Sequence, residues 1–122
     1  GQVYGGNLMP CQLLRTDGSQ QALVLEQAHR LWPRLKGLLG RQALAPAQGL
    51  WLSPCNSVHC LFMRFSIDVL YLDRAQRIIA IRSHLKPWQL SLHWPARSVV
   101  ELAAGECQRL HISIGDQIQC AS

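Results

Sequence analysis

A mainly β fold with two short helices, closed into one small compact β-barrel or sandwich, follows from three observations. Apolar residues fall in short runs punctuated by clusters of Gly, Pro, Asn, Asp and Ser, the pattern of many short strands. Helical spacing is confined to two stretches. The 122 residues are 48% hydrophobic and 16% charged, enough apolar surface for one core and too much for a disordered chain.

Taken in order, residues 1–10 are loosely ordered, and a single domain spans 11–122. Cys11 to Arg15 and Gln21 to Glu26 form a hairpin around the turn cluster Thr16-Asp17-Gly18-Ser19. Ala28 to Gly40 reads as the first helix: Leu31, Leu35, Leu38 and Leu39 make one apolar stripe. Pro33 suits its first turn and Gly40 its left-handed end. Gly49 to Leu52 is a short strand, broken by Ser53-Pro54-Cys55-Asn56. Val58 to Phe62 and Ile67 to Leu72 are strands, then Arg77 to Arg82, which β-branched Ile78, Ile79 and Ile81 support. Lys86-Pro87-Trp88 and His93-Trp94-Pro95 bracket a loop-rich stretch. Ser98 to Leu102 is a strand, Gly105 to Leu110 the second helix with Glu106 in its first turn, and Gln117 to Cys120 the last strand.

Composition narrows the function classes. The net charge of +5 and pI near 9.3 permit an anionic partner, but the 12 Lys and Arg are spread along the chain without a basic block, which disfavours nucleic acid. No apolar stretch approaches the roughly 18 residues of a transmembrane helix. No charged-then-apolar leader is present. The cytoplasm is slightly favoured, but Gly1 is not a start methionine, so export stays open if a leader was removed. A monomer is expected. The five cysteines, Cys11, Cys55, Cys60, Cys107 and Cys120, include no C-x-x-C pair. They read as reduced, partly buried thiols, with one or two disulfides open to an exported chain.

The order of several motifs identifies a relationship. Gly37-Leu38-Leu39-Gly40-Arg41 precedes Val58-His59-Cys60-Leu61-Phe62-Met63-Arg64-Phe65 and Ile67-Asp68-Val69-Leu70-Tyr71-Leu72-Asp73. Val100-Glu101-Leu102-Ala103-Ala104-Gly105 and Ile114-Gly115-Asp116 follow. This series resembles the family known as domain of unknown function 192 over roughly residues 12 to 120. The resemblance implies a compact, mostly β fold and no activity. Many relatives carry a leader or lipoprotein signal. The turn Asp73-Arg74-Ala75-Gln76 lacks the glycine expected there, which implies a different turn type.

Asp68 is the sharpest site candidate. Alternation places it with Leu70 and Leu72, with Ile67, Val69 and Tyr71 on the other face, so the strand is buried on both sides and the carboxylate needs a partner. Arg64 is close in sequence, and the choices are a polar anchor in a ligand pocket, or an ion pair or set of backbone hydrogen bonds locking the loop at Met63 to Ser66. Cys55, His59 and Cys60 give a C-x3-H-C spacing, but neighbours on a strand point apart, so no metal site and no Cys–His nucleophile is expected. Asp68 and Glu101 are the one carboxylate pair that could serve hydrolysis. Trp88 and Trp94, interleaved with Lys86, His84, His93 and Arg97, are either packing lids or a stacking surface.

The sequence therefore points first to a non-catalytic binding module for a small molecule or protein. Its ligand-binding residues are His59, Arg64 and Asp68, with Trp88, Trp94 and Arg41 at the rim; no cofactor, metal or catalytic residue is assigned. A metal-assisted or acid–base hydrolase is the alternative, and an accessory interaction protein of an envelope or secretion assembly is a third reading.

Overall fold

Strand formation follows the alternating apolar pattern closely. A computed structural model describes residues 8–28, 45–59 and 65–121. Its strands are β1 (Leu8–Leu14), β2 (Gln20–Ala28), β3 (Gln48–Leu52), β4 (Ser57–His59), β5 (Ile67–Leu72), β6 (Ile78–Leu85), β7 (Leu90–Leu92), β8 (Ser98–Ala103) and β9 (Gln117–Cys120). One helical turn, α1 (Glu106–Arg109), lies between β8 and β9.

Seven strands form one sheet in the order β6-β5-β8-β3-β2-β1-β9, and β4 pairs with β7 in a separate ribbon. Among the described strands only β2 and β3 pair in parallel. The main sheet is open, but it curls until its two edges touch at one end. There Arg77 bridges Gln117, the Ile78 N–H donates to the Asp116 carbonyl (2.7 Å) and the Ile118 N–H donates to the Gln76 carbonyl (3.0 Å). The concave face gathers Leu13, Leu25, Leu70, Leu102 and Ile118 from both ends of the sheet into one core. A second core, with Leu52, Val69, Tyr71 and Val99, lies on the opposite face of β3, β8 and β5. Every residue of β5 is buried, as its two apolar faces require. Gly49 lets β3 approach β8: a Cβ there would collide with the Glu101 carbonyl.

Several elements differ from expectation. The strand begins at Leu8, so 8–10 pair with β2 through Glu26, Leu25 and Val24 and do not trail loosely. β2 continues to Ala28, where a helix was expected to start; the rest of that helix, 29–40, lies outside the described residues, as does Arg41. Of the two expected helices, the second is the single turn α1. Its C-terminal carbonyls receive Arg15, whose guanidinium donates to Leu110 O (2.6 Å) and His111 O (3.3 Å). The glycine-less turn after β5 works because Gln76 itself takes the left-handed conformation (φ 63°), while Asp73 Oδ1 accepts the Ala75 and Arg77 N–H groups. The cysteines are not all reduced: Cys11 on β1 and Cys120 on β9 stand directly opposite in the ladder and form a disulfide.

Candidate functional site

Four of the seven acidic side chains are buried, Asp68, Glu101, Glu106 and Asp116, and the described bonds show what three of them do. Asp68 Oδ1 accepts the His84 N–H (2.9 Å), and Oδ2 accepts the N–H groups of Gly105 and Cys107 (both 3.0 Å). Three N–H bonds offset the desolvation of a fully buried carboxylate. Two of those donors open α1, so β5 supplies the side-chain cap that the turn's own residues lack. The third sits at a bulge: pairing jumps from Ile67↔Leu85 to Val69↔Arg82, and His84 adopts φ 53° opposite Asp68. Asp116 accepts the N–H groups of Thr16 (3.1 Å) and Ser113 (2.8 Å), tying the first hairpin to the last turn.

Glu106 accepts the Ala47 N–H (2.7 Å) and pairs with both Nε and Nη2 of Arg109. The Arg109 bonds, with help from Ala47, hold its carboxyl below the ordinary 4.5 despite its burial. A lowered folded-state value means a contribution that is complete above about pH 4.5 and disappears as pH falls through the folded value. Glu106→Gln should therefore flatten the acid limb of a urea-stability profile. The effect at neutral pH should stay under about 1 kcal/mol, because Arg109 is half exposed. Superimposable acid limbs for the two proteins would contradict this.

The candidate catalytic pair does not converge. In the β5–β8 register Asp68 faces Leu102 and Val69 faces Glu101, so the two carboxylates project from opposite faces of the sheet. Cys55 donates to the Ser57 carbonyl (3.0 Å), and among the described residues no group of three His, Cys, Asp or Glu side chains could hold a metal ion. Burial, reinforced by the neighbouring Asp68, pushes the Cys107 thiol up, which makes it inert at neutral pH. A cavity of about 700 Å³ opens beside the start of β1. Met9, Gln27, Trp51 and Gln76 are among the described residues that line it.

The exposed feature of the molecule is the ribbon. β7 pairs with β4 through Leu92↔Ser57, Ser91↔Val58 and Leu90↔His59. Ser91 points inward, where the Tyr71 hydroxyl is 2.5 Å from its Oγ, and the His93 ring lies 5.5 Å from the Tyr71 ring. Alternation then turns Leu90 and Leu92 outward. They are 60% and 65% exposed, and Trp88 and Trp94 at the two ends are 67% and 80% exposed. Hydrogen bonds fix those ends: Gln89 Oε1 accepts the Lys86 N–H (2.7 Å) in the turn before β7, and the His93 N–H donates across the ribbon to the Asn56 carbonyl (2.9 Å). The chain carries no acid between Asp73 and Glu101, whereas Arg82, His84, Lys86 and Arg97 in that interval are exposed.

Four of the six residues expected at the site lie among the described residues. Trp88 and Trp94 flank one ribbon, and His59 sits on its other strand. Asp68 is enclosed below. Arg64 and Arg41 lie outside the described residues. Leu90 and Leu92 were missed because Pro87 and Pro95 make 86–95 look like loop. The signal was the period-two pattern Trp88-x-Leu90-x-Leu92-x-Trp94.

Known proteins match this chain as follows. The family model DUF192, described as Uncharacterized ACR, COG1430, matches residues 12–120. A UPF0127 protein of Pyrococcus furiosus is 36% identical over 64 residues, 52% of this chain and 54% of that protein. A UPF0127 protein of Thermococcus sibiricus is 32% identical over 63 residues, 51% of this chain and 40% of that protein. The chain thus spans about half the length of the curated relatives it matches. A crystal structure from Sinorhizobium meliloti 1021, described as a candidate transcription regulator, superposes with a TM-score of 0.85 at 23% identity, covering 94% of this chain and 95% of that one. A protein of unknown function from Novosphingobium aromaticivorans gives 0.84 at 21% identity, covering 98% and 89%. At such identities these two structures establish the fold alone. With the family model covering nearly its whole length, the chain belongs to the uncharacterised family DUF192.

Proposed function

We propose that this protein is a non-catalytic binding module and that it binds through the β4–β7 ribbon. One observation carries this reading: four large apolar side chains, Trp88, Leu90, Leu92 and Trp94, stand 60–80% exposed within seven consecutive residues. Single exposed apolar residues are ordinary, but several large ones gathered in one short segment mark an interaction surface. His59 belongs to the ribbon's second strand. Asp68 acts as a positioning residue, since the His84 N–H it accepts fixes the end of β6 from which the chain enters Lys86 and Trp88. Arg64 and Arg41 remain candidates for the rim. The opposed directions of Asp68 and Glu101 weigh against the hydrolase reading.

A photocrosslinker tests this without knowledge of the partner. p-Benzoylphenylalanine placed at Leu90 or Leu92 and irradiated in the host should give adducts several-fold more abundant than at Ile114 or Leu8. Those two are equally exposed but lie elsewhere. Equal yields at all four positions, or no adducts to either protein or lipid at Leu90 and Leu92, would remove the ribbon as the binding surface.

A further inference from the structure

We infer that the occupant of the ribbon is an anionic lipid bilayer surface, an inference that rests on the ribbon being the binding surface. Side-chain chemistry points there first. Tryptophan combines a large apolar body with one polar N–H and is favoured where hydrocarbon meets water, and leucine inserts into acyl chains. Trp88 and Trp94 stand at the two ends of the stretch, with Leu90 and Leu92 between them on the outward face of β7. Leu90 and Leu92 project outward from β7, which suits a soft phase that can deform around them.

Charge complementarity selects the sign of the surface. Arg82, Lys86 and Arg97 are exposed in the acid-free interval between Asp73 and Glu101. Exposed basic residues on both sides of β7 in the sequence, with apolar side chains between them, suit anionic headgroups. The same charges argue against a second copy of the chain, because a two-fold contact would set like-charged margins against each other. Leu90 and Leu92 argue against nucleic acid, since aliphatic side chains offer no ring on which a base can stack.

Vesicle flotation of the full chain tests the inference, using phosphatidylcholine vesicles with and without phosphatidylglycerol. The protein should float with the phosphatidylglycerol vesicles, at least about tenfold more tightly than with phosphatidylcholine alone, and should be released by salt. Trp88→Ser with Trp94→Ser should abolish flotation. Arg82→Gln, Lys86→Gln and Arg97→Gln should each weaken it by about fivefold. All five positions are exposed, and an unchanged melting temperature would show that each variant is folded. Flotation that survives the paired tryptophan substitution would place the membrane contact elsewhere and overturn the inference. Absence of flotation, with protein adducts still forming at Leu90 and Leu92, would overturn the bilayer and leave the ribbon as a protein-docking surface. Failure of both experiments would remove both readings.

Discussion

Asp68→Ala is expected to destabilise the fold by about 3–5 kcal/mol, among the largest effects of any single substitution in this chain. Two of its three donors, the Gly105 and Cys107 N–H groups, lie at the start of α1, and the third belongs to the bulged end of β6. Removing the carboxylate leaves buried N–H groups without acceptors, at about 1–3 kcal/mol each. The exposed His84 can recover part of this from water, which sets the upper end of the range. Asp68→Asn should lose less, since its carbonyl still accepts, but its amide must then face an N–H. Urea denaturation of the three proteins should rank them wild type, Asn, Ala. The local consequence is equally specific: the turn at 105–107 loosens, and the Cys107 thiol, inert in the native protein, becomes open to alkylation. A loss under about 1 kcal/mol for Asp68→Ala, with Cys107 still protected, would show that these N–H groups are satisfied another way.

Asp68 also marks where the sequence stops being informative. Its burial was legible, because a strand that is apolar on both faces has nowhere solvated to put a carboxylate. The bounds of β5 and β9 were legible for the same reason: alternation reports the local geometry of the chain. Its partners were not. They are backbone amides 16, 37 and 39 residues away, and a backbone N–H has no sequence signature. The sequence reading allowed an ion pair or backbone hydrogen bonds, but it placed those bonds at the nearby loop Met63 to Ser66. The missed strand β7 has a different cause. Three residues between two prolines lie below the length at which periodicity separates strand from loop. What holds β7 is the β4 ladder and the Tyr71–Ser91 contact, both tertiary. Glycine shows the converse case: Gln76 takes over a left-handed turn position because Asp73 supplies the bonds that make the turn stable without it.

Loss of the Cys11–Cys120 disulfide should cost about 2–5 kcal/mol and lower the thermal midpoint by about 10 °C or more. The two cysteines are separated by 109 residues, so the link closes nearly the whole chain into a loop, and chain entropy favours the folded state most for long loops. The position of the link adds a structural reason. β9 has four residues and pairs along its length only with β1, while its start makes the bridge at Arg77 through which the two edges of the sheet meet. Without the disulfide, β9 is held by that short ladder, the bridge and the burial of Ile118. Cys11→Ser with Cys120→Ser should therefore melt earlier, and its hydrogen exchange should rise first in β9 and at the seam with β6. Reductant should lower the midpoint of the wild type and leave the double variant unchanged, which separates the disulfide from any effect on Cys55 or Cys107. A wild type indifferent to reductant in the unfolding experiment would mean that the ladder alone holds the edge strand. Because β9 and the ribbon lie on different parts of the fold, the same double variant should still float with phosphatidylglycerol vesicles below its melting point. That result would separate what holds the sheet together from what the protein binds.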